Sequence, residues 1–375
     1  MFKYTIKMSV TFRPKKNENE LYFEISNVSP SFINGLRRIA LSELVTVGFN
    51  TEDYINSDLK VIKNTGALHN EFILHRISMI PIYYKDINLF DVNKYNFVLK
   101  KENNTNSVMN VTSGDIEVFD NDTGKKLSSS EFFPAVNNSY ILITKLKPNP
   151  NKQGEELHIE GKSSKFSGKK NAHYQPVCCF TYSNKQDPEK IDKELKKYLK
   201  ENKDKDSEKI LEKIFETSIA ERHFYTDVNG VCNHFNGYIE SIGVLTPEKI
   251  FSECLDILLV KIKTFKTGVN NVTSNELSDR IELSLSLDNM KAYEIKVYDE
   301  THTLGNIIQS YANILFDSTK LIFLGYKNPH PLENNIIFKI RTNTNSLEEI
   351  NEIISATCDT VIEIAETIKK QIDKS

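Results

Sequence analysis

The feature that most restricts how this chain can fold is that it contains the same pattern twice. Phe23-Glu24-Ile25, then Ser29 and Ser31, then Phe32 and Asn34, align without a gap on Ile295-Lys296-Val297, Thr301 and Thr303, and Leu304 and Asn306, at a constant offset of 272 residues. Thr246, Glu248 and Ile250 align on Ser346, Glu348 and Ile350 at an offset of 100, each set opening a helix just after a strand. Cap residues recur at helix starts generally, so convergence alone would produce part of this match. Read as a repeat, each copy has helices with one apolar face on a sheet and another face left to bury. Pairing the copies through those helices makes the chain an intramolecular pseudo-dimer.

Periodicity supplies the elements. Alternation at period two predicts a hairpin from Tyr4 to Phe12 and Leu21 to Ile25, and Ser29-Pro30 opens a helix striped by Phe32, Leu36, Ile39, Ala40 and Leu44. A second helix is predicted over 68–80, with Leu68, Phe72, Ile73, Ile77 and Ile80 as its stripe and Pro81 as its stop. Residues 85–172 show short β-like runs between Asn, Ser and Gly, which predicts a β-rich insertion. Gln175 to Tyr182 reads as a returning strand. Residues 185–222 carry 11 basic and 11 acidic side chains, either a solvated helical hairpin or a partner-docking arm.

A strand over 235–243 follows, then a helix opened by Thr246-Pro247-Glu248, striped by Ile250, Cys254, Leu258, Ile262 and Phe265, with Gly268 placed as its C′ glycine. A linker is predicted over 268–279. Beyond it, Ile281, Leu283, Leu285 and Leu287 alternate, as do Tyr293, Ile295 and Val297; a helix from 303 to 315, strands at 321–326 and 336–340, and a helix from Ser346 complete the chain. That last helix carries Leu347, Ile350, Ile354, Thr357, Val361, Ile364 and Ile368 in a 3-4 repeat, and Ser346 with Glu349 fits a capping box. The expected core between the copies is Phe32, Leu36 and Ile39; Ile250, Cys254 and Leu258; Leu304, Ile308 and Tyr311; and Ile350, Ile354 and Val361.

Composition narrows the function. The 375 residues are 39% hydrophobic and 26% charged, enough for two to three domains, and the net charge of −3 provides no cationic field for phosphate backbones. Five cysteines without regular spacing suit a reducing interior, and no apolar stretch approaches the roughly 18 residues of a membrane span. No export signal is expected at the amino terminus. The abundance of Asn, Ile and Lys matches an AT-rich genome.

The motifs of common chemistry fail on spacing. Gly161-Lys162-Ser163 has Glu156 where a phosphate loop needs glycine; His69 and His75 stand six apart, not the four of a zinc-protease helix; Cys178 and Cys179 on a strand face opposite ways. His302 and His330 lack a visible nucleophile or carboxylate and suit capping or loop packing better than acid-base work. Arg37 and Arg38, behind Asn34 and across the helix from Leu36, Ile39 and Ala40, are either two solvated arginines or a grip on a partner's carboxylates.

Asn34-Gly35-Leu36-Arg37-Arg38-Ile39 resembles the first-helix signature of the RNA polymerase α-like proteins: the bacterial α amino-terminal domain, its archaeal D-type counterpart and the third subunit of RNA polymerase II. Leu68-His69-Asn70-Glu71-Phe72 with His75-Arg76-Ile77 and Ile80-Pro81 is similar to the family's next helix, and Ala172 to Val177 to its strand returning from the insertion. In the second half, Asp299 to Asn306 and Gly325 to Glu333 resemble the two motifs of the eleventh subunit of polymerase II and its archaeal L-type counterpart; Thr301, His302, Leu304, Gly305, Asn306, Gly325, Tyr326, Pro329, His330 and Pro331 carry that match. The resemblance covers about residues 4–85, 172–184, 235–266 and 280–370.

It implies an α+β fold of two RNA polymerase α-type dimerisation units, ββαββα-like, paired within one chain. The third-subunit-like unit would be 1–84 and 173–267 with its charged arm about 185–222, interrupted by an inserted β-rich domain at 85–172; the linker 268–279 would lead to an eleventh-subunit-like unit at 280–375. The implied role is a non-catalytic platform on which the second-largest and then the largest polymerase subunit assemble for transcription, the nucleotidyltransferase activity belonging to the complex. Asn34, Arg37, Arg38, His75 and Arg76 would face the second-largest subunit, with small subunits like the tenth and twelfth of polymerase II nearby and no direct sequence-specific contact with nucleic acid.

Relatives that hold zinc or an iron-sulfur cluster do so on cysteines of the inserted domain, and 85–172 has none, so neither metal nor other cofactor is expected. The fused organisation is similar to that of large nucleocytoplasmic DNA viruses, which implies an intracellular protein, in the virion and host cytoplasm if viral. Two other classes stay open: a free adaptor using the same dimer fold outside a polymerase, and a histidine-dependent hydrolase.

Overall fold

The computed structural model describes residues 8–13, 17–149, 154–203, 207–274, 276–286 and 291–372. The Tyr4 to Lys7 part of the expected first strand, and Leu287 of the later one, lie outside them.

The chain opens with the antiparallel pair β1 (Ser9–Phe12) and β2 (Glu20–Ser26), followed by α1 (Pro30–Ser42). It then builds a separate compact unit of residues 41–176 with 242–245. That unit holds β3 (Val45–Gly48), β4 (Leu59–Asn64), α2 (Asn70–Ser78), β5 (Tyr95–Glu102), β6 (Met109–Thr112), β7 (Glu117–Asp120), β8 (Lys126–Leu127), α3 (Ser129–Phe132), β9 (Leu142–Leu146), β10 (Glu156–Gly161) and β11 (Ser164–Ser167). Next come β12 (Val177–Asn184), the charged helices α4 (Pro188–Asn202) and α5 (Glu208–Ser218), β13 (His234–Ser241) and α6 (Pro247–Thr273). The last stretch is β14 (Ile281–Leu285), β15 (Tyr293–Tyr298), α7 (His302–Leu315), β16 (Leu321–Lys327), β17 (Asn335–Thr342) and α8 (Leu347–Ile372).

The inserted unit therefore begins near residue 41, not 85. The reason lies in α2, whose buried Ile73, Leu74 and Ile77 share one core with Phe97, Val111 and Leu157 of the insertion. The stripe also differs from the expected one: Leu74 is buried, while Phe72 is 67% and Leu68 38% exposed. This unit is organised on a five-stranded sheet, β4-β10-β5-β7-β8.

The other unit contains both copies of the repeat. Its two antiparallel sheets have matching orders, β1-β2-β13-β12 and β14-β15-β17-β16. The match extends to backbone irregularities. Asn27 and Asp299, 272 apart, both take left-handed φ, at 60° and 59°, where a strand turns into a helix cap. Each edge strand carries a bulge at the same place: between Val177 and Cys179 opposite Ser241 and Glu240, and between Leu321 and Phe323 opposite Thr342 and Arg341. Side-chain volumes are exchanged within this frame. Phe23 pairs with Gly237 in one sheet and Ile295 with Phe338 in the other, and a Cβ on Gly237 would stand 2.0 Å from the Phe23 ring.

The 27-residue α6 and 26-residue α8 run antiparallel. Asp256 pairs with Lys369, Lys263 with Glu366 and Lys266 with Asp359, while the Ser355 hydroxyl donates to Asn270 at 3.1 Å. Each helix starts on its own sheet and ends on the other. Phe251 packs on Phe12 and Phe23, at centroid distances of 6.3 and 4.9 Å, and Phe265 packs on Phe338 at 5.3 Å. At the far end of α8, the Gln371 amide accepts the Val10 N–H at 2.8 Å and donates to the Met8 carbonyl at 3.1 Å.

Gly268 is thus not a C′ glycine. It lies inside α6, buried, where a Cβ would meet Ile281 Cδ1 at 2.6 Å, and the expected linker shrinks to the residues between Thr273 and Ile281. The capping box forms by half: Ser346 Oγ accepts the Glu349 N–H at 3.2 Å, but the Glu349 carboxylate bonds Thr344 N and Oγ, at 3.0 and 2.5 Å.

Because the halves meet along both long helices, a protease site placed between residues 276 and 280 should yield two fragments that co-elute after cleavage. Separate migration on size exclusion would contradict this pairing.

Candidate functional site

The face where the halves meet is built from α1, α6, α7 and α8. The twelve side chains expected in its core, Phe32, Leu36, Ile39, Ile250, Cys254, Leu258, Leu304, Ile308, Tyr311, Ile350, Ile354 and Val361, are each 5% exposed or less. Fully burying an aliphatic or phenylalanine side chain contributes roughly 1.5–3 kcal/mol. Burial pushes the Cys358 thiol up to about 12.

Where α1 approaches α7, equivalent residues touch. Position 35 is 272 before position 307, and a Cβ on Gly35 would stand 2.6 Å from Ile307 Cδ1 and 3.7 Å from Thr303 Cγ2. Glycine permits this close approach. Around it, Arg38 Nε donates to Thr303 Oγ1 at 3.0 Å, and the Tyr311 hydroxyl accepts the Ser29 N–H at 3.2 Å. Lys261 on α6 donates to both carboxylate oxygens of Glu300, each at 3.0 Å, with both side chains less than one-fifth exposed. Thr301 caps α7 by accepting from the Thr303 N–H at 3.4 Å. In the sequence Gly35 stands out only as part of the Asn34-Gly35-Leu36-Arg37-Arg38-Ile39 motif, and nothing local singles out Ile307 or the Lys261–Glu300 pair.

The basic residues expected to face a partner have different roles in the structure. Arg37 stays partly exposed, its Nε donating to Asn34 Oδ1 at 3.1 Å. Arg38 is committed to Thr303 across the face, so it is not one half of a solvated pair. His75 is exposed on α2, whereas Arg76 donates to the carbonyls of Ile143 and Leu142, at 2.7 and 2.8 Å, and so ties α2 to β9. Arg37 and Arg38 belong to the unit of paired halves, His75 and Arg76 to the inserted one.

The second-half motifs are structural devices. Gly305 leaves room for the Tyr326 ring, whose Cδ2 would be 2.4 Å from an added Cβ. The His302 ring meets Tyr326 edge-on, with Nδ1 3.2 Å from its hydroxyl. Asn306 Oδ1 accepts from the Ser310 hydroxyl at 3.5 Å, and Gly325 lies against the Phe323 ring. Pro329, His330 and Pro331 form an exposed turn in which His330 Nδ1 accepts the Leu332 N–H at 3.2 Å. Gly161 ends strand β10 with its Cα against the Asp58 carbonyl, a sheet position and not a phosphate loop. Among the described residues, no group of three or more His, Cys, Asp or Glu is placed to hold a metal ion. No helix of the described residues is long and apolar enough to cross a membrane.

Two ββαββα units joined face to face through four helices, with an unrelated unit inserted in the first, define a single-chain pair of α-type dimerisation units. Comparison with protein families agrees. Residues 22–262 match a sequence model described as the RNA polymerase Rpb3/Rpb11 dimerisation domain, and residues 292–371 match a second model of the same description. The chain belongs to this family and is a fused α-like RNA polymerase subunit.

Its relatives cover different shares of the chain. The chain is 25% identical over 316 residues to the DNA-directed RNA polymerases I and III subunit rpac1 of Dictyostelium discoideum, covering 73% of this chain and 84% of that one. It is 26% identical over 280 residues to the DNA-directed RNA polymerase subunit Rpo3 of Pyrococcus furiosus, covering 69% and 97%. It is 38% identical over 69 residues to the probable DNA-directed RNA polymerase II subunit RPB11 of Caenorhabditis elegans, covering 18% of this chain and 53% of the relative.

The exposed Cys178 should react with a thiol reagent in the native protein, while the buried Cys254 and Cys358 should react only as the chain unfolds. Mass spectrometry of peptides after timed labelling checks this; fast native labelling of Cys358 would mean that the helical core opens.

Proposed function

We propose that this subunit is the non-catalytic assembly platform of a multisubunit DNA-directed RNA polymerase, on which the second-largest and then the largest subunit are built. The observation that carries the reading is that both dimerisation domains of the family lie in one chain and are already paired through α6 and α8. Joining them makes their encounter intramolecular, with an effective concentration on the order of millimolar. The charge distribution suits a part held away from the template: residues 1–279 carry +1 and residues 280–375 carry −4.

All five residues expected to face the second-largest subunit keep surface exposure, but Arg38 is bonded to Thr303 and Arg76 to the carbonyls of Ile143 and Leu142, so Asn34, Arg37 and His75 are the ones we assign to it. Small subunits like the tenth and twelfth of polymerase II would complete the assembly. The fusion and the Asn-, Ile- and Lys-rich composition favour a large DNA virus as its source, with the polymerase in the virion and the host cytoplasm.

With the wild-type chain as bait for a co-expressed second-largest subunit, Arg37→Glu combined with His75→Glu should cut capture at least tenfold while leaving the thermal midpoint of the chain nearly unchanged, since exposed substitutions of this kind cost about 0.5 kcal/mol or less. Arg38→Glu is the wrong probe, because it removes the bond to Thr303. Undiminished capture, or hydrolysis by the purified chain that is lost when His302 or His330 is changed, would overturn the platform reading.

A further inference from the structure

The internal symmetry is broken at the points where the halves touch. Positions 35 and 307 are equivalent and in contact, yet one is glycine and the other isoleucine. Two first halves would leave a gap there, and two second halves would drive isoleucine against isoleucine. Glu300 is equivalent to Val28, which is 2% exposed. Lys261 on α6 corresponds on α8 to Val361 when the helices are aligned on their caps, or to Thr360 when they are aligned on their buried stripes; neither carries a charge. Pairing like with like would set Lys261 against Val28, or Glu300 against Thr360 or Val361, which lie between Asp359 and Glu363. Each would strand a largely buried charge, which is far costlier than the intact pair.

A third contact follows the same rule. Tyr311, whose hydroxyl accepts the Ser29 N–H, is equivalent to Ile39, which offers no acceptor. Along the long helices, Lys263 and Lys266 of α6 meet Glu366 and Asp359 of α8, so the charge pattern also favours unlike partners.

We propose that this face is keyed, with Gly35/Ile307 and Lys261/Glu300 as its specificity-determining contacts, so that each half accepts only the other kind of half and rejects a second copy of itself. The proposal rests on the paired architecture and not on polymerase contacts, so a failed capture assay would leave it standing.

Two double-mutant cycles on the intact chain test it. Lys261→Glu and Glu300→Lys should each lower the thermal midpoint by several degrees, and the double swap should recover at least half of the summed loss. Because positions 35 and 307 face each other across the local two-fold, Gly35→Ile with Ile307→Gly should likewise recover part of what each change loses alone. Where a single variant gives no folded protein, recovery of soluble folded chain by the double swap reads the same coupling. Additive losses in both cycles would overturn the proposal. As a second readout, the full chain cleaved between 276 and 280 should show only mixed pairs by native mass spectrometry; abundant pairs of like halves would overturn it as well.

Discussion

The antiparallel packing of α6 on α8 is the interaction on which the rest depends. Each helix is long enough to cover its own sheet and then the neighbouring one, so neither sheet has a complete apolar cover without the other half. Phe251 lies on the first sheet and Phe265 on the second, although both belong to one helix. The Gln371 amide at the end of α8 completes the backbone of β1, at the opposite end of the sequence. Stability is therefore a property of the pair, and the halves are cooperative in the ordinary sense of a single core.

Elaboration of the first half is confined to places that leave this core alone. The inserted unit enters between α1 and β12, and the charged helices α4 and α5 between β12 and β13. The corresponding joins of the second half, between Leu315 and Leu321 and between Lys327 and Asn335, are short. Both large additions thus sit where the undecorated copy merely turns, and the helices that bury the common face keep their length and register.

Much of this was legible in the sequence because it is local or periodic. The offset of 272, the caps at Thr246 and Thr301, and the stripes of Ile250, Leu304 and Ile354 are short-range patterns that the fold preserves. What was not legible depends on contacts between distant residues. Phe72, Ile73 and Leu74 are all apolar, and only the insertion's core decides which of them turns inward. Gly268 follows an apolar stripe as a C′ glycine would; its real role is to admit Ile281, a strand that comes later. Arg38 reads as a surface arginine until Thr303 is placed beside it. The Lys261–Glu300 pair has no local signature at all, since each residue alone is an ordinary charge near a helix.

The short join between Thr273 and Ile281 has a consequence beyond geometry. α6 ends on the sheet that β14 begins, so one act of translation delivers both halves in equal number and in reach of each other. No surplus half is left with its apolar helices exposed to proteases or to aggregation. Dosage, which two separate genes would have to balance, is settled by the peptide bond.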